Sequence, residues 1–442
     1  MPLENPRTTR REALARAACA GFAFPFVRKV HATAPPSETL YHASFGAAGM
    51  AEADIGSLTA SPHVKLVAVA DVDARNLDRI KDRFPGVKVY QDWRGLLEKE
   101  KKLNSVNVST PDHMHASITM RALQQGLHVY TQKPLTQTVY EARQVARLAR
   151  EKSLVTQMGI QIHSHEVHRS IVATIQAGTI GKVKEVHSWS GKQWGDNAPI
   201  PDRSDPIPPG LNWDFWLGIA SKRPYLANYY HPGEWRKRTD FGTGTFGDMG
   251  CHILDPVFTA LALTAPKSIR SEGRAPKGGN WALDSEVHYI FPGTKHTTET
   301  LSLTWYDGDK RPPDAAKSLI GARSLFDQGS IYVGTEGILY TPYIDAPVLL
   351  PAEKFKDTKL PNLGGNDHYL QFVEACRGNG TTSAPFDYSG PLTESVLLGC
   401  LATRFPGMTL DWDSVNLKVT SDQEANTFIR RKYRKGWEIE GL

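Results

Sequence analysis

Leu40-Tyr41-His42-Ala43-Ser44-Phe45-Gly46-Ala47-Ala48-Gly49 decides the fold. Residues 40–45 form a short apolar run that predicts a strand. A turn of small residues follows, and then a helical stretch begins. Gly46 lets a ligand's phosphates approach the backbone, and Gly49 lets the helix pack close to the strand. The helix start offers amide donors and a favourable dipole to an anion. This is a dinucleotide fingerprint in which Ser44 takes the place of the first glycine. Such turns are common, so its weight comes from its surroundings.

Outward from it, short apolar runs alternate with helical stretches. Val64–Ala70, Val87–Tyr90, Ser105–Ser109 and His128–Tyr130 predict strands, and Leu154–Met158 a sixth. Asp73–Arg83, Trp93–Lys99, His115–Gln125 and Val139–Glu151 predict the helices between them. That alternation implies a doubly wound parallel sheet. Asp71 closes the second strand, where a carboxylate accepts hydrogen bonds from an adenosine ribose and repels a 2′-phosphate. Asp71 therefore points to NAD over NADP, although Arg75 lies nearby. Its plainer role, capping the next helix, can fall to Asp73.

Beyond Gly159 the texture changes. Val183–Ser190, Glu286–Phe291, Thr297–Trp305, Gly329–Val333 and Ile338–Thr341 alternate or are rich in β-formers, which predicts a largely antiparallel, open-faced sheet. Long loops at Gly195–Gly210 and Gly308–Ala315 interrupt it, and helices are expected near His368–Arg377 and Thr393–Thr403. The expected division is an N-terminal segment 1–34, a dinucleotide-binding domain 35–160, and a substrate-binding and oligomerisation domain 161–442.

Three segments carry chemistry. Ser109-Thr110-Pro111-Asp112-His113-Met114-His115 and Gln132-Lys133-Pro134 follow successive predicted strands, at the sheet edge where ligands bind. The third is Gly247-Asp248-Met249-Gly250-Cys251-His252-Ile253-Leu254-Asp255. If 247–262 is one helix, Asp248, His252 and Asp255 share a face, and the carboxylate can orient the imidazole and stabilise its protonated form. Trp213, Trp216, Tyr230 and Trp235 cluster in sequence and suit either a pyranose face or core packing.

Taken together, the fingerprint, Asp71, Ser-Thr-Pro-Asp-His-x-His, x-Lys-Pro and Asp-x-x-x-His resemble the Gfo/Idh/MocA oxidoreductases, from Leu40 to the C-terminus. Asn212–Gly218, Trp235-Arg236 with Asp240–Gly244, and Phe386-Asp387-Tyr388 with Leu392-Thr393-Glu394 resemble its exported branch. The resemblance implies a Rossmann domain followed by an open-faced sheet domain. It implies Lys133, Asp248 and His252 as catalytic residues, with His252 the general acid or base. It places NAD against Ser44, Gly46, Ala47, Gly49, Asp71, Thr110, Pro111, His113, His115, Gln132 and Lys133. Gln161, Trp235, Arg236 and Asp255 fall on the substrate side, with no metal. Gln132 departs from the motif's glutamate, which removes a charge beside Lys133.

The implied activity is hydride transfer at a sugar, glycoside or polyol carbinol. A redox-neutral glycosidase or epimerase working through a transient keto-sugar is the main alternative. A non-catalytic sugar and NAD sensor is another, opposed by the retained Lys133, Asp248 and His252. The resemblance also implies a homodimer or homotetramer formed through the open sheet face.

The N-terminal segment adds a cellular expectation. Thr9-Arg10-Arg11-Glu12-Ala13-Leu14 precedes an Ala/Phe-rich stretch ending at Ala32-Thr33-Ala34, the pattern of a twin-arginine export signal for the periplasm. That route carries folded proteins, so a nucleotide can be loaded first. The stretch is broken by Arg16, Pro25 and Arg28, too polar for a spanning helix. Four cysteines, one of them Cys19 in this segment, form neither a disulfide framework nor a zinc pattern. A net charge of +5 with interleaved acids and no basic block excludes nucleic-acid tracking.

Overall fold

The structure, a computed structural model, describes residues 39–442. The arginine pair, Cys19 and the expected processing point at Ala34 lie outside the described residues.

The first half alternates as expected: β1 (Leu40–Phe45), α1 (Met50–Thr59), β2 (Val64–Ala70), α2 (Ala74–Arg83), β3 (Lys88–Tyr90), α3 (Trp93–Lys99), β4 (Ser105–Val108), α4 (Asp112–Gln124), β5 (His128–Gln132), α5 (Val139–Glu151) and β6 (Thr156–Gly159). The sheet order is β3-β2-β1-β4-β5-β6, all parallel. The order reverses direction between β1 and β4, so their loops flank a crevice at the carboxyl ends of the strands. Local chemistry starts the helices. Asp73 and Asp92 cap α2 and α3, and Thr138 with Glu141 forms a capping box on α5.

After β6 come a 3₁₀ turn (Gln161–Ser164), α6 (Glu166–Gln176), β7 (Val183–Ser190), α7 (Trp213–Leu217), α8 (Gly244–Ile253), α9 (Asp255–Leu261), β8 (Ser268–Ser271), β9 (Ser285–Pro292), β10 (Thr297–Asp307), α10 (Asp314–Ser318), β11 (Gln328–Gly334), β12 (Ile338–Pro342), β13 (Val348–Leu350), α11 (His368–Cys376), α12 (Phe386–Ala402), β14 (Thr409–Asp413) and β15 (Lys418–Val419). Nine strands form a sheet in the order β13-β12-β11-β7-β10-β9-β8-β14-β15, antiparallel except where β7 meets β10. One face packs Val186, Leu303, Trp305, Tyr332 and Leu339 into the main core with α8, α9 and α12.

Strands β8, β13, β14 and β15 and the short helices α7 and α10 were not anticipated, and the structure departs from expectation in three further places. Helix α6 was not anticipated, although Ile171 and Ile175 are buried at helical spacing. The expected helix 247–262 is two helices, broken at Leu254; Pro256, in the first turn of α9, has no N–H to continue the α8 ladder. The outer sheet face is not bare: Trp189, Tyr306, Ile331, Val333 and Tyr340 are covered by Leu319, Ile320 and Leu325 of the loop around α10. What remains open there includes the Glu185–His187 pair at 2.9 Å and the exposed Ile290 of β9.

The two sheets are joined by more than the chain crossing at residue 160. Phe372 and Val373 of α11 pack on Leu40, Leu58 and Tyr130 of the first sheet layer. The C-terminal tail also returns: Tyr433 Oη donates to Glu141 at 2.6 Å, Arg434 Nε to the Gly218 carbonyl at 2.9 Å, and Arg94 lies 4.1 Å over the Trp437 ring.

Candidate active site

The β1–α1 turn holds the features a dinucleotide needs. Gly46 has φ +102°, and a Cβ there would fall 2.7 Å from the Ser109 carbonyl oxygen and 2.9 Å from Ala51 Cβ. Gly49 (φ +61°) starts α1 with no side-chain cap, leaving first-turn N–H groups for an anion. Ser44 supports the turn, its buried hydroxyl donating to the Gly46 carbonyl at 2.8 Å. Asp71 reaches the same turn, one oxygen accepting from Ala47 N–H at 2.9 Å and the other from Asp73 N–H. Asp73 is the α2 cap, so Asp71 is free of that task. Thr110 Oγ1 is buried beside Pro111 with no partner among the described residues. A positive-φ cradle, an uncapped helix start, a carboxylate and an unspent hydroxyl together fit NAD.

Gln132 ends β5 and Lys133 follows it. Lys133 Nζ donates to Asp248 Oδ1 at 2.6 Å and to the Asp248 backbone carbonyl at 3.1 Å. The same carboxylate accepts from Trp194 Nε1 at 2.9 Å and Arg236 Nε at 3.3 Å, with Lys192 Nζ at 3.6 Å. Burial alone would push the Asp248 carboxyl up, but the charges of Lys133 and Arg236, the Lys133 hydrogen bond and Lys192 outweigh it and hold it well below the usual range. Asp248 thus pairs with Lys133, not with His252 one turn along its own helix. The His252 Nδ1 is buried without a partner among the described residues. Burial, reinforced by the Lys133 charge, pushes His252 down to about 3. Its resting form is therefore the neutral imidazole, contrary to the expected stabilised cation.

Asp255 anchors a second cluster. It accepts from His163 Nδ1 at 2.8 and 3.0 Å and from the Tyr388 hydroxyl, and lies 3.6 Å from His168 Nδ1. Gln161 donates to the Tyr369 and Tyr130 hydroxyls at 2.9 and 3.3 Å. Tyr369 in turn donates to Asp54 at 2.8 Å, and Gln132 Nε2 donates to both Asp54 oxygens at 2.9 Å. Burial pushes Asp54 up to about 6, against hydrogen bonds from Ser109, Gln132 and Tyr369.

Two expected contact residues frame the site instead. His113 is buried, with Nε2 3.1 Å from the Trp216 carbonyl and its ring edge-on to Phe241. His115 bridges the Thr110 and Pro134 carbonyls at 2.8 Å each, locking the two strand-end loops together. Trp213, Trp216, Tyr230 and Trp235 are core, not a sugar platform: with Phe241 they form one buried cluster, the Trp213 and Trp216 rings stacked at 4.7 Å. Arg236 lies 4.3 Å over the Trp235 ring, which thereby positions the guanidinium at Asp248. Sequence reasoning missed Lys192, Trp194, Asp54 and His163. Lys192 and Trp194 lie just before the long loop at 195–210.

Comparison with known proteins fits this geometry. Residues 43–160 match the oxidoreductase family, NAD-binding Rossmann fold, and residues 166–285 match the C-terminal alpha/beta domain of the same family. The chain belongs to the Gfo/Idh/MocA oxidoreductase family. Its first domain is the family's NAD-binding domain. Levoglucosan dehydrogenase of Pseudarthrobacter phenanthrenivorans is 24% identical over 173 residues, 39% of this chain and 36% of that protein. A dTDP-3,4-didehydro-2,6-dideoxy-alpha-D-glucose 3-reductase of Streptomyces violaceoruber is 30% identical over 152 residues, 34% of this chain and 44% of that protein. The matched stretch thus spans less than half the length of these curated relatives. Among solved structures, the WlbA dehydrogenase from Bordetella pertussis, in complex with NADH and UDP-GlcNAcA, superposes with a TM-score of 0.61 at 11% identity, covering 85% of this chain and 99% of that one. GenD2 from gentamicin A biosynthesis, in complex with NAD, gives 0.58 at 18% identity, covering 86% and 98%. Among the described residues no group of His, Cys, Asp or Glu forms a metal-ligand cluster, and no helix is long and apolar enough to cross a membrane.

Proposed function

We propose that this chain is an NAD-dependent oxidoreductase acting on a carbinol of a sugar, glycoside or polyol. The observation that carries it is the Lys133–Asp248 pair at 2.6 Å, which joins the end of β5 in the nucleotide-binding sheet to α8 of the second domain. An ammonium has three donors. Two are spent on Asp248, so Nζ is held in one orientation with a third donor left for a substrate oxygen. His252, one turn on and neutral, can take a hydroxyl proton. When bound, NAD supplies hydride acceptance or donation. Ser44, Gly46, Gly49 and Thr110 would hold its phosphates, and Asp71 its ribose. The relatives' names, sugar and inositol dehydrogenases and a sugar-nucleotide reductase, support the carbohydrate class.

Purified protein mixed with NAD and a panel of sugars and glycosides tests this, with nicotinamide absorbance as the readout. His252→Ala should lower turnover by ~10²–10⁴-fold while NAD binding survives. A near-normal rate in that variant would move the base elsewhere.

Export is part of the same proposal. Arg10-Arg11 and the small-residue stretch to Ala34 support twin-arginine export to the periplasm with retained NAD. Replacing the pair by Lys-Lys should leave the protein in the cytoplasm; undiminished export would refute it. Association into a homodimer or homotetramer is proposed through the open remainder of the outer sheet face, and light scattering giving a monomer mass would exclude it.

A further inference from the structure

The charges around Asp248 do not balance. Lys133, Arg236 and Lys192 converge on this one carboxylate, at 2.6, 3.3 and 3.6 Å. They arrive from separate elements: Lys133 from the end of β5, Arg236 from a 3₁₀ turn at Glu234–Lys237, and Lys192 from just past β7. Among the described residues none of the three has another ion-pair partner. Neighbouring acids are engaged elsewhere: Glu234 pairs with Lys237 at 2.6 Å, Asp196 with Arg238 at 2.7 Å and Asp255 with His163 at 2.8 Å, while Asp309 accepts from Gln193. Asp54 is spent on Gln132, Ser109 and Tyr369. Asp112 does feel Arg236 and Lys133, but it is buried, and burial pushes its carboxyl up. Even with Asp112 fully ionised, the three cations outnumber the two carboxylates that act on them.

NAD would not supply the missing anion. Its phosphates belong at the β1–α1 turn, and β1 lies two places from β5 in the sheet order, about 10 Å at the usual strand spacing. An oxidised nicotinamide ring is itself cationic.

The unspent donors lie outward of Lys133. The side chains of Lys133, Arg236 and Lys192 are 13%, 28% and 45% exposed, so Lys133 is the deep group and Lys192 the open one. Arg236 spends Nε on Asp248, and its two terminal nitrogens have no partner among the described residues. The guanidinium is fixed all the same, 4.3 Å from the Trp235 ring centre and 5.7 Å from that of Trp194. Lys192 Nζ makes no hydrogen bond among the described residues; it only approaches Asp248. A held guanidinium with its terminal edge open offers two parallel donors to an oxyanion.

We propose that Arg236 and Lys192 form an anion-binding subsite, and that the substrate is a sugar bearing a carboxylate or phosphate group. The inference rests on the oxidoreductase reading and narrows its substrate. The reacting carbinol meets Lys133, and the anionic group lies outward, against the terminal nitrogens of Arg236 and the Lys192 ammonium. A neutral sugar entering here strips water from two cations and returns little, whereas an acid replaces that water with charge-assisted hydrogen bonds. Lys192 is then a specificity-determining residue, and Asp248 holds the cations together while the subsite is empty.

The test uses NAD-loaded protein and matched sets of neutral sugar, uronic acid and sugar phosphate in the gluco, galacto and manno series. In nicotinamide reduction, kcat/KM should favour an anionic member over its neutral counterpart by ~10²-fold, and added salt should shrink the preference. Which acid is preferred tells carboxylate from phosphate. A neutral sugar used as well as both of its acids overturns the subsite; absence of reduction with every member overturns the oxidoreductase reading instead. Binding needs no turnover. Calorimetry should detect the preferred acid, find it weakened at least ~10-fold in Lys192→Gln, and find it restored in Lys192→Arg. Equal binding by wild type and Lys192→Gln, or no binding of any acid, also overturns the subsite.

Discussion

Replacing Gln132 by glutamate would restore the family motif, and it should harm this protein. Gln132 Nε2 donates to both oxygens of Asp54 at 2.9 Å, and Asp54 is fully buried. In Gln132→Glu two carboxylates meet at about that distance. Gly159 is packed so closely that a Cβ there would lie 2.6 Å from the Gln132 amide, so the new group has little room to turn aside. Two unit charges ~3 Å apart repel by roughly 5 kcal/mol at an effective dielectric of about 20. Keeping a proton on one of them is cheaper. Burial already pushes Asp54 up to about 6. Holding that proton then costs about 1.4 kcal/mol at pH 7 and about 2.7 kcal/mol at pH 8, since each unit is worth ~1.36 kcal/mol. The folded variant binds a proton that the unfolded chain has released, so its stability falls as pH rises. Urea unfolding of the cofactor-free protein should show little loss near pH 6 and a growing one through pH 8. The double variant Asp54→Asn/Gln132→Glu, with amide and carboxylate exchanged, should recover most of it. A loss equal at pH 6 and pH 8, or a double variant no better than the single, would refute the reasoning.

Other outcomes follow from the same structure. Asp248→Ala leaves the largely buried Lys133 ammonium unpaired beside Arg236, which should cost ~3–5 kcal/mol of stability in denaturant unfolding; a loss below 1 kcal/mol would show that the cations disperse. Gly46→Ala must force its Cβ against the Ser109 carbonyl at positive φ, so calorimetry should find NAD binding weakened at least ~10-fold. Asp71→Ala should weaken NAD more than NADP; equal losses would reduce Asp71 to a support for the Ala47 and Asp73 amides. Burial pushes His42 and His368 down to about 4, and His113 and His252 to about 3. These imidazoles stay neutral when folded and take protons near 6.5 when unfolded, so their stabilisation is present above pH 6.5 and lost toward pH 4. Asp54 and Asp307, raised by burial to about 6 and about 7, act in the opposite sense, as do the raised Asp71, Asp112 and His163, but the lowered imidazoles, which also include His128, His187, His231 and His296, outnumber them. Thermal unfolding should therefore move to lower temperature between pH 7 and pH 5, and an unchanged midpoint would contradict the burial of these rings.

The nucleotide half was legible because its signals are local: a strand, a glycine turn and a helix start all lie within Leu40–Met50, and Asp73 was available to free Asp71 from capping. The catalytic set was legible as residues but not as partners. Asp248 and His252 stand four apart, so helical spacing pairs them; the fold instead brings Lys133 to Asp248 from a distant loop, and a cation at 2.6 Å outcompetes a neutral ring. The aromatic run at 213–235 suited either a sugar face or core packing, and the fold takes the second: the rings close on one another. Trp194, a single indole before a Pro/Gly-rich loop, gave no such signal and is the one at the carboxylate. Asp54 was invisible because nothing in an α1 residue foretells that Gln132 and Tyr369 will seal it.

The stitching between the two sheets also bears on recombination. Residue 160 is where a sequence-level domain swap would be cut, but that border crosses only one of several seams. The described residues form one compact unit. A first domain taken alone would bare Leu40, Leu58 and Tyr130 where α11 now lies, and would strand Glu141 without Tyr433. A chimera joining this nucleotide domain to a relative's substrate domain must therefore import matching versions of α11, α12 and the tail. Parents compatible at residue 160 alone will give a product that unfolds at its second and third seams.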